Sequence, residues 1–385
     1  MNTQCLEIKI KNARPYRVYI GTKLLGGIGE QVAKLVTGRK ACVISDSNVA
    51  AFYLEPVRES MVRAGFDVID AIIEPGERSK DIGVAKELWG ALAEGGLGRD
   101  SVILALGGGV VGDIAGFVAS TYMRGISYVQ LPTTLLAMVD SSVGGKTAIN
   151  LSAGKNLVAS FYQPILVAAD LDVLKTLPEA EWVNGFAEIA KSALLEGGSF
   201  YSWLVEYCDD LRKQGRGAVQ QAVVRSLVFK GRVVAADEKE TNERECLNYG
   251  HTFAHALEAA AGYGGVSHGR AVAAGMRFAA SLAAEALALP ALGLPALAAE
   301  ALALPAAVEE SFANKQAFLL EALGLEDFPD AYSADELFDH MLADKKARAN
   351  ELRFVFVTAP GQWQTCAVDV DLVKIHLILW EQARL

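Results

Sequence analysis

Over its first 170 residues the chain alternates short, β-branched apolar runs with helical patterns, and this alternation limits the fold more than any other feature. The runs are ACVISD, FDVIDAII, SVILALGGG and ISYVQLP, and helical stretches such as SKDIGVAKELWGALAEGG, closed by glycines, separate them. Strands joined through helices need crossover connections, so the pattern predicts a mainly parallel sheet covered on both faces. CLEIKIK and YRVYIG predict a hairpin ahead of it. From about residue 176 helical periodicity takes over, in LPEAEWVNGFAEIAKSALLEG, in 218–237 and in HTFAHALEAAAG. ELRFVFVTAPGQWQT predicts a late hairpin that caps the helices. ALALPA occurs at 286–291 and again at 301–306, and Pro290, Pro295 and Pro305 interrupt the Ala/Leu-rich stretch, which predicts a pair of short broken helices near the surface. The expectation is an α/β Rossmann-like domain over 1–170 and a mostly helical domain over 171–385.

Composition narrows the functions such a chain can have. Apolar residues make up 52% of its 385 residues, enough for a full core. With 36 Lys+Arg against 46 Asp+Glu, the formal charge of -10 argues against nucleic-acid or acidic-membrane partners. The mean hydropathy of +0.24 raises the question of a membrane span. However, the longest run without Asp, Glu, Lys or Arg, Gly125 to Val139, has 15 residues and contains a proline, whereas a span needs about 20. The N-terminal stretch carries charges every few residues and has no apolar signal core. Cys5, Cys42, Cys208, Cys246 and Cys366 are scattered and form no CxxC pair, so neither a disulfide framework nor a zinc ribbon is expected, and a reduced, cytoplasmic location fits.

Three loops carry candidate chemistry in the first half. SVILALGGGVVGDIAG is a strand, a glycine-rich turn and a helix start, and Gly107, Gly109 and Gly112 satisfy GxGxxG. Such glycines let backbone N–H groups approach a pyrophosphate at a helix N-terminus. EPGERSK at 74–80 and LPTT at 131–134 also follow apolar runs. In a parallel sheet all three lie at the carboxyl edge, where such sheets bind ligands.

In the second half three of the five histidines fall within 18 residues. His251 and His255 are four apart on one helix face, His268 follows, and Glu188 sits on a helical pattern. Glu188 with two of these histidines would form a set of the kind that holds catalytic zinc, and the spacing leaves open which two. Arg124, Lys146, Lys155, Lys191, Lys230 and Arg244 lie beside these motifs. In an acidic chain they suggest an anionic substrate, a phosphate ester with a carboxylate. VDSSVGGKTAIN predicts Lys146 buried among small and apolar residues.

Taken together, GGGVVGDIAGFVASTYMRG, LPTTLLAMVDSSVGGKTAIN, GKNLVASFYQP, LNYGHTFAHALE and HGRAVAAGM resemble 3-dehydroquinate synthase, within the sugar-phosphate cyclase superfamily. The resemblance runs in register from roughly residue 40 to 276 and more faintly to DKK at 344–346. It implies a homodimer that uses NAD and one divalent metal, zinc or cobalt, with the active site in a cleft between the domains. The substrate it implies is 3-deoxy-D-arabino-heptulosonate 7-phosphate, and the products are 3-dehydroquinate and phosphate, in the shikimate route to aromatic amino acids. The implied reaction is a transient oxidation by NAD, phosphate elimination with the phosphate's own oxygen as base, re-reduction, and an intramolecular aldol closure.

The resemblance assigns the metal to Glu188, His251 and His268, and moves His255 to the substrate pocket. It places Asp46, Glu77, Lys80, Gly108, Gly109, Asp113, Thr133, Thr134, Lys146, Lys155 and Thr176 at NAD. Around the substrate it places Arg124, Asp140, Lys146, Asn156, Lys191, Lys230, Arg244, Asn248, His255 and Lys345. The chain departs from the family pattern at Arg270, where an acid is usual, and at Ala180 and Ser192-Ala193. It also has Asn242 where glycine is frequent, which predicts a left-handed conformation there. The alternatives are another sugar-phosphate cyclase acting on a heptulose 7-phosphate, a metal-dependent polyol dehydrogenase of related fold, and a catalytically dead relative.

Overall fold

A computed structural model of the chain describes residues 3–10, 14–262, 265–288, 310–326, 332–343 and 351–383. Lys345 and nearly all of the ALALPA stretch therefore lie outside the described residues. The chain divides into two compact units. The first comprises Met1–Trp182 and Val223–Lys239, and the second comprises Val183–Ala222 and Glu240–Leu385. The sequence reading placed a boundary at 170/171 and did not foresee that 223–239, the latter part of helix Arg216–Ala236, groups with the first unit.

The first unit holds a seven-stranded sheet. Its strands are β1 (Gln4–Ile8), β2 (Tyr16–Gly21), β3 (Lys40–Asp46), β4 (Asp67–Ile73), β5 (Val102–Gly107), β6 (Ser127–Pro132) and, later in the chain, β9 (Leu166–Asp170). The order across the sheet is β1-β2-β9-β6-β5-β3-β4. Only β1 and β2 pair antiparallel, as the hairpin reading required. The pairs β2–β9, β3–β4, β3–β5, β5–β6 and β6–β9 are parallel. Between β6 and β9 the chain forms a separate antiparallel hairpin, β7 (Lys146–Leu151) with β8 (Gly154–Phe161), for which the sequence offered no strand signal. The central strands are apolar throughout because both faces are covered. Cys42, Ile44, Ile103 and Ala105 of β3 and β5 pack in one core with Leu88 and Leu92 of helix Ile82–Glu94 and Ile114 and Val118 of helix Gly109–Thr121. Burying each of these larger aliphatic side chains is worth about 1.5–3 kcal/mol.

This topology fixes where a ligand can go. The connection leaving β3 runs to β4 on one side, while the connection leaving β5 runs to β6 on the other. Adjacent strands whose connections diverge open a crevice beyond their carboxyl ends. The glycine turn after β5 and Asp46 at the end of β3 both stand at that point.

The second unit is helical except for the hairpin β10 (Glu351–Ala359) with β11 (Gln362–Asp369). Its aromatic core stacks Phe253 on Phe278 at 4.7 Å and sets Trp380, from the last helix, edge-on to Phe278. No helix among the described residues is long and apolar enough to cross a membrane. None of the five cysteines forms a disulfide. Burial pushes the Cys42 thiol up to about 12, so it is inert packing material.

Candidate active site

The first unit gathers a nucleotide-side set at the carboxyl edge of its sheet. Helix Gly109–Thr121 starts directly after β5 and has no side-chain cap, which leaves its first backbone N–H groups available to an anion. Gly112 on this helix faces the side chain of Gln130. A methyl on Gly112 would lie 2.9 Å from Gln130 Oε1 on β6. Thr133 follows β6, and its hydroxyl is buried without a hydrogen-bond partner. Thr134 Oγ1 accepts from the Ala137 N–H at 3.1 Å.

Lys80 organises the neighbouring loop. Its buried ammonium lies 2.8 Å from Asp113 Oδ2, 2.5 Å from Asn156 Oδ1 and 3.5 Å from Glu77 Oε1. Burial pushes the Lys80 ammonium down, but Asp113 and Glu77 outweigh it and hold the pKa above its ordinary value. Asn150 ties the knot to the hairpin, donating to Glu77 Oε1 at 2.9 Å and accepting from the Asn156 N–H at 2.8 Å. Asn156 itself is left-handed, with φ 54°.

Close by in sequence, Asp140 sits on a π-helical turn, Ala137–Ser141, and its Oδ1 lies 2.6 Å from Lys230 Nζ. Lys230 donates to the Asp140 carbonyl as well, at 2.8 Å. Arg124 is exposed and, like Met123, left-handed, with φ 69° and 51°, at the exit of helix Gly109–Thr121. Such backbone strain in residues with side chains concentrates at functional sites.

One member of the first-unit set differs from the sequence expectation. Lys146 is exposed at the first position of β7 rather than buried, while the next three residues, Thr147, Ala148 and Ile149, are buried on both faces of the strand. Asp46 caps helix Ser47–Arg63, accepting from the Val49 N–H at 3.0 Å. Thr176 is engaged by Tyr53, whose hydroxyl lies 2.7 Å from Thr176 Oγ1, a partner with no sequence signal. Lys155 lies half-buried on β8, beside Asn156.

The second unit gathers a metal-side set. Glu188, His251 and His268 bring one ligand atom each within 4.8 Å of one another. His251 Nε2 and His268 Nε2 lie 3.6 and 3.5 Å from Glu188 Oε1. His255 is exposed and outside this trio, its ring 5.6 Å from that of His251, so geometry selects among the histidines where spacing could not. Two glycine contacts set the trio. The Gly269 N–H donates to Asn184 Oδ1 at 2.9 Å, and a methyl on Gly269 would lie 2.5 Å from Asn184 Cα. Asn184 is one helical turn before Glu188, so this contact lays His268 beside the carboxylate. Gly250, with φ 79°, precedes His251, and a methyl on Gly275 would overlap the Gly250 carbonyl oxygen.

Electrostatics suit the trio to a cation. Glu188 is 1% exposed, and neither of its oxygens has a hydrogen bond of ordinary geometry, although Lys191 Nζ lies 2.5 Å from Oε2. Burial pushes the Glu188 carboxyl up, but Lys191 and His268 outweigh it and hold it at about 2. Burial holds His251 well below its ordinary value, aided by Lys191 and the other imidazoles. Burial works against protonating His268, yet Glu188 and Glu258 raise it to about 10. The outer ring nitrogens are anchored, His251 Nδ1 3.1 Å from the Tyr249 carbonyl and His268 Nδ1 3.5 Å from Glu258 Oε1. Such anchoring leaves both Nε2 atoms for a metal. The sequence reading missed Glu258, although it stands two turns after His251 on the same helix.

Lys191 also donates to the Leu247 carbonyl, at 2.8 Å. Arg244 is fully buried, and Asn248 donates to Glu240 Oε1. Positive φ falls on Glu240, at 57°, while Asn242 has φ −152°, so the left-handed conformation expected at Asn242 is displaced by two residues. Arg270, on the first turn of helix His268–Ala288, is exposed.

The residues present fit both groups that the resemblance implies. A buried, ionised carboxylate without ordinary hydrogen bonds, next to two imidazoles, matches a three-ligand divalent site. An uncapped helix start at a glycine turn, with an orphaned threonine hydroxyl beside it, matches a dinucleotide phosphate site.

Comparison with known proteins agrees. Residues 70–184 match the family model described as 3-dehydroquinate synthase N-terminal, and residues 185–347 match that described as 3-dehydroquinate synthase C-terminal. The chain is 39% identical to the 3-dehydroquinate synthase of Caldanaerobacter subterraneus subsp. tengcongensis, over 94% of this chain and 97% of that one. It is 43% identical to that of Caulobacter vibrioides, over 96% of each chain. Among solved structures it resembles a 2-deoxy-scyllo-inosose synthase complexed with carbaglucose-6-phosphate, NAD+ and Co2+, with a TM-score of 0.82, 25% identity, and coverage of 98% of this chain and 99% of that chain.

Proposed function

The chain belongs to the 3-dehydroquinate synthase family, and from that membership and the two residue sets we propose how it acts. It is a carbon–oxygen lyase that converts 3-deoxy-D-arabino-heptulosonate 7-phosphate to 3-dehydroquinate and phosphate, with NAD and one divalent metal as cofactors. The observation that carries the site assignment is the Glu188, His251 and His268 trio, with its buried carboxylate bare of ordinary hydrogen bonds.

Zinc or cobalt would be held by these three residues, with Lys191 keeping Glu188 ionised and Glu258 and the Tyr249 carbonyl fixing the imidazole tautomers. The start of helix Gly109–Thr121, with Gly108, Gly109, Thr133 and Thr134, receives the dinucleotide phosphates. Lys80, Glu77, Asp113, Lys155, Thr176 and Asp46 line the rest of its path. When bound, NAD supplies reversible oxidation of a secondary alcohol, and the divalent ion makes that alcohol more acidic. Arg124, Lys146, Lys191, Lys230 and Arg244 neutralise the substrate's phosphate and carboxylate and stabilise charge that develops as phosphate leaves. Asp140, Asn156, Asn248 and His255 orient the hydroxyls of the polyol. A cytoplasmic location accords with the biosynthetic reaction and the absence of disulfides, and a homodimer is what the family resemblance implies.

The test pairs metal content with phosphate release from the heptulosonate phosphate. The unaltered protein releases phosphate and holds one divalent ion per chain, and His251→Ala loses both together. Full turnover by metal-free protein overturns the assignment.

A further inference from the structure

Among the groups outside both sets, one buried polar link ends on the metal side. Tyr249 is fully buried, and its hydroxyl donates to Gln316 Oε1 at 2.5 Å. Gln316, 1% exposed on helix Glu310–Ala322, uses its other amide end as well, donating from Nε2 to the Met276 carbonyl at 3.1 Å. Tyr249 is the residue whose carbonyl faces His251 Nδ1, and Met276 lies on the helix that His268 begins. The Tyr249 hydroxyl also lies 3.4 Å from the Met276 carbonyl, so Gln316, from a third element, closes a three-way link between the turn ahead of one histidine and the helix that carries the other. The join is made at the Gly250–Gly275 crossing, where the two backbones touch.

We propose that Gln316 is a positioning residue for the metal, acting through Tyr249 on His251 and through Met276 on the helix of His268. The proposal rests on the assignment of the metal to Glu188, His251 and His268. Gln316 is not one of the three candidate ligands. Its effect is to fix where the Tyr249 carbonyl meets His251 Nδ1, and hence where His251 Nε2 points. Core packing needs an apolar filler in such a place. An amide with both ends satisfied between two metal-bearing elements specifies register instead.

The experiment measures zinc affinity of metal-stripped protein against a competing chelator, and the visible spectrum of the cobalt-loaded form. Tyr249→Phe removes only the hydroxyl and leaves the ring in its core position, so folding is retained. Gln316→Leu removes the amide. Each single change is expected to weaken zinc binding by about tenfold, at the lower end of what outer partners of metal ligands contribute, and to alter the cobalt spectrum. The double variant is expected to bind zinc no more weakly than Gln316→Leu alone, because an apolar pair leaves no orphaned group behind. Zinc affinity and cobalt spectra unchanged in both single variants, with only thermal stability lowered, would make the link structural and overturn the proposal. Losses that multiply to about a hundredfold in the double variant would show that the two residues do not act through one link. Failure of the unaltered protein to bind zinc or cobalt would instead overturn the metal assignment itself.

Discussion

Gly269 is the position where a single added methyl should cost the site most. It immediately follows His268 and rests against Asn184, one turn before Glu188, so the contact sets the distance between two metal ligands directly. In Gly269→Ala the new Cβ would stand 2.5 Å from Asn184 Cα, 2.9 Å from the Val183 carbonyl oxygen and 3.1 Å from Asn184 N. All three are backbone atoms that no rotamer change can move. Restoring ordinary contact at 3.4 Å requires the two helices to part by about 0.9 Å. Overpacking of this kind costs about 1–3 kcal/mol, while a metal site tolerates only ~0.2 Å in its ligand distances. The separation would also stretch the 2.9 Å hydrogen bond from the Gly269 N–H to Asn184. Zinc affinity should therefore fall by at least ~10-fold, measured by chelator competition, with a smaller fall in the unfolding midpoint of the metal-free protein. Gly217→Ala is the control, since nothing lies within 4 Å of a Cβ there. A Gly269→Ala protein that binds zinc as tightly as the original would refute the argument that this glycine contact positions His268.

Three further outcomes follow from the geometry. Metal binding to the stripped protein at pH 8 should release about one proton, because His268, raised from 6.5 to about 10, is protonated there and must be neutral to ligate. The raised value also means that His268 stabilises the metal-free fold fully below pH 6.5 and loses that contribution as pH rises through about 10. Calorimetry in buffers of different ionisation enthalpy counts the protons, and a count of zero contradicts the assignment. Lys146→Ala should lower turnover by ~10²–10³ while shifting stability by less than about 0.5 kcal/mol, because the side chain is exposed. Equal loss of stability and activity would count against an anion-binding role. Arg270→Glu should raise stability by about 0.3–1 kcal/mol, since an acid suits a helix N-terminus, and leave turnover within a few-fold. A large gain in metal affinity would show that Arg270 acts on the metal.

The parallel sheet and its ligand edge were legible because strand alternation and glycine turns are local signals. β3, β4, β5 and β6 each begin or end within a residue or two of the apolar runs that predict them. The β7–β8 hairpin was not legible. KTAINLSAGKNLVASF mixes small and polar residues, and its pairing depends on tertiary contacts such as Lys80 to Asn156. The exposure of Lys146 went astray for the same reason, since small neighbours do not reveal where along a strand burial begins.

Glu188, His251 and His268 could be nominated from residue type and spacing. Their meeting could not be derived, because it depends on two helix contacts at Gly269 and Gly250 that join residues far apart in sequence. Glu258 and Gln316 escaped notice because an acid or an amide in a helical pattern reads as a solvated face until its burial is known.

The most direct measurement follows absorbance at 340 nm and phosphate together, with the heptulosonate phosphate in large excess over NAD. If the chain oxidises and re-reduces one substrate molecule per cycle, phosphate accumulates far beyond the NAD present while no NADH builds up. NADH rising in step with substrate consumed, with no phosphate released, would make the chain a dehydrogenase and contradict the account.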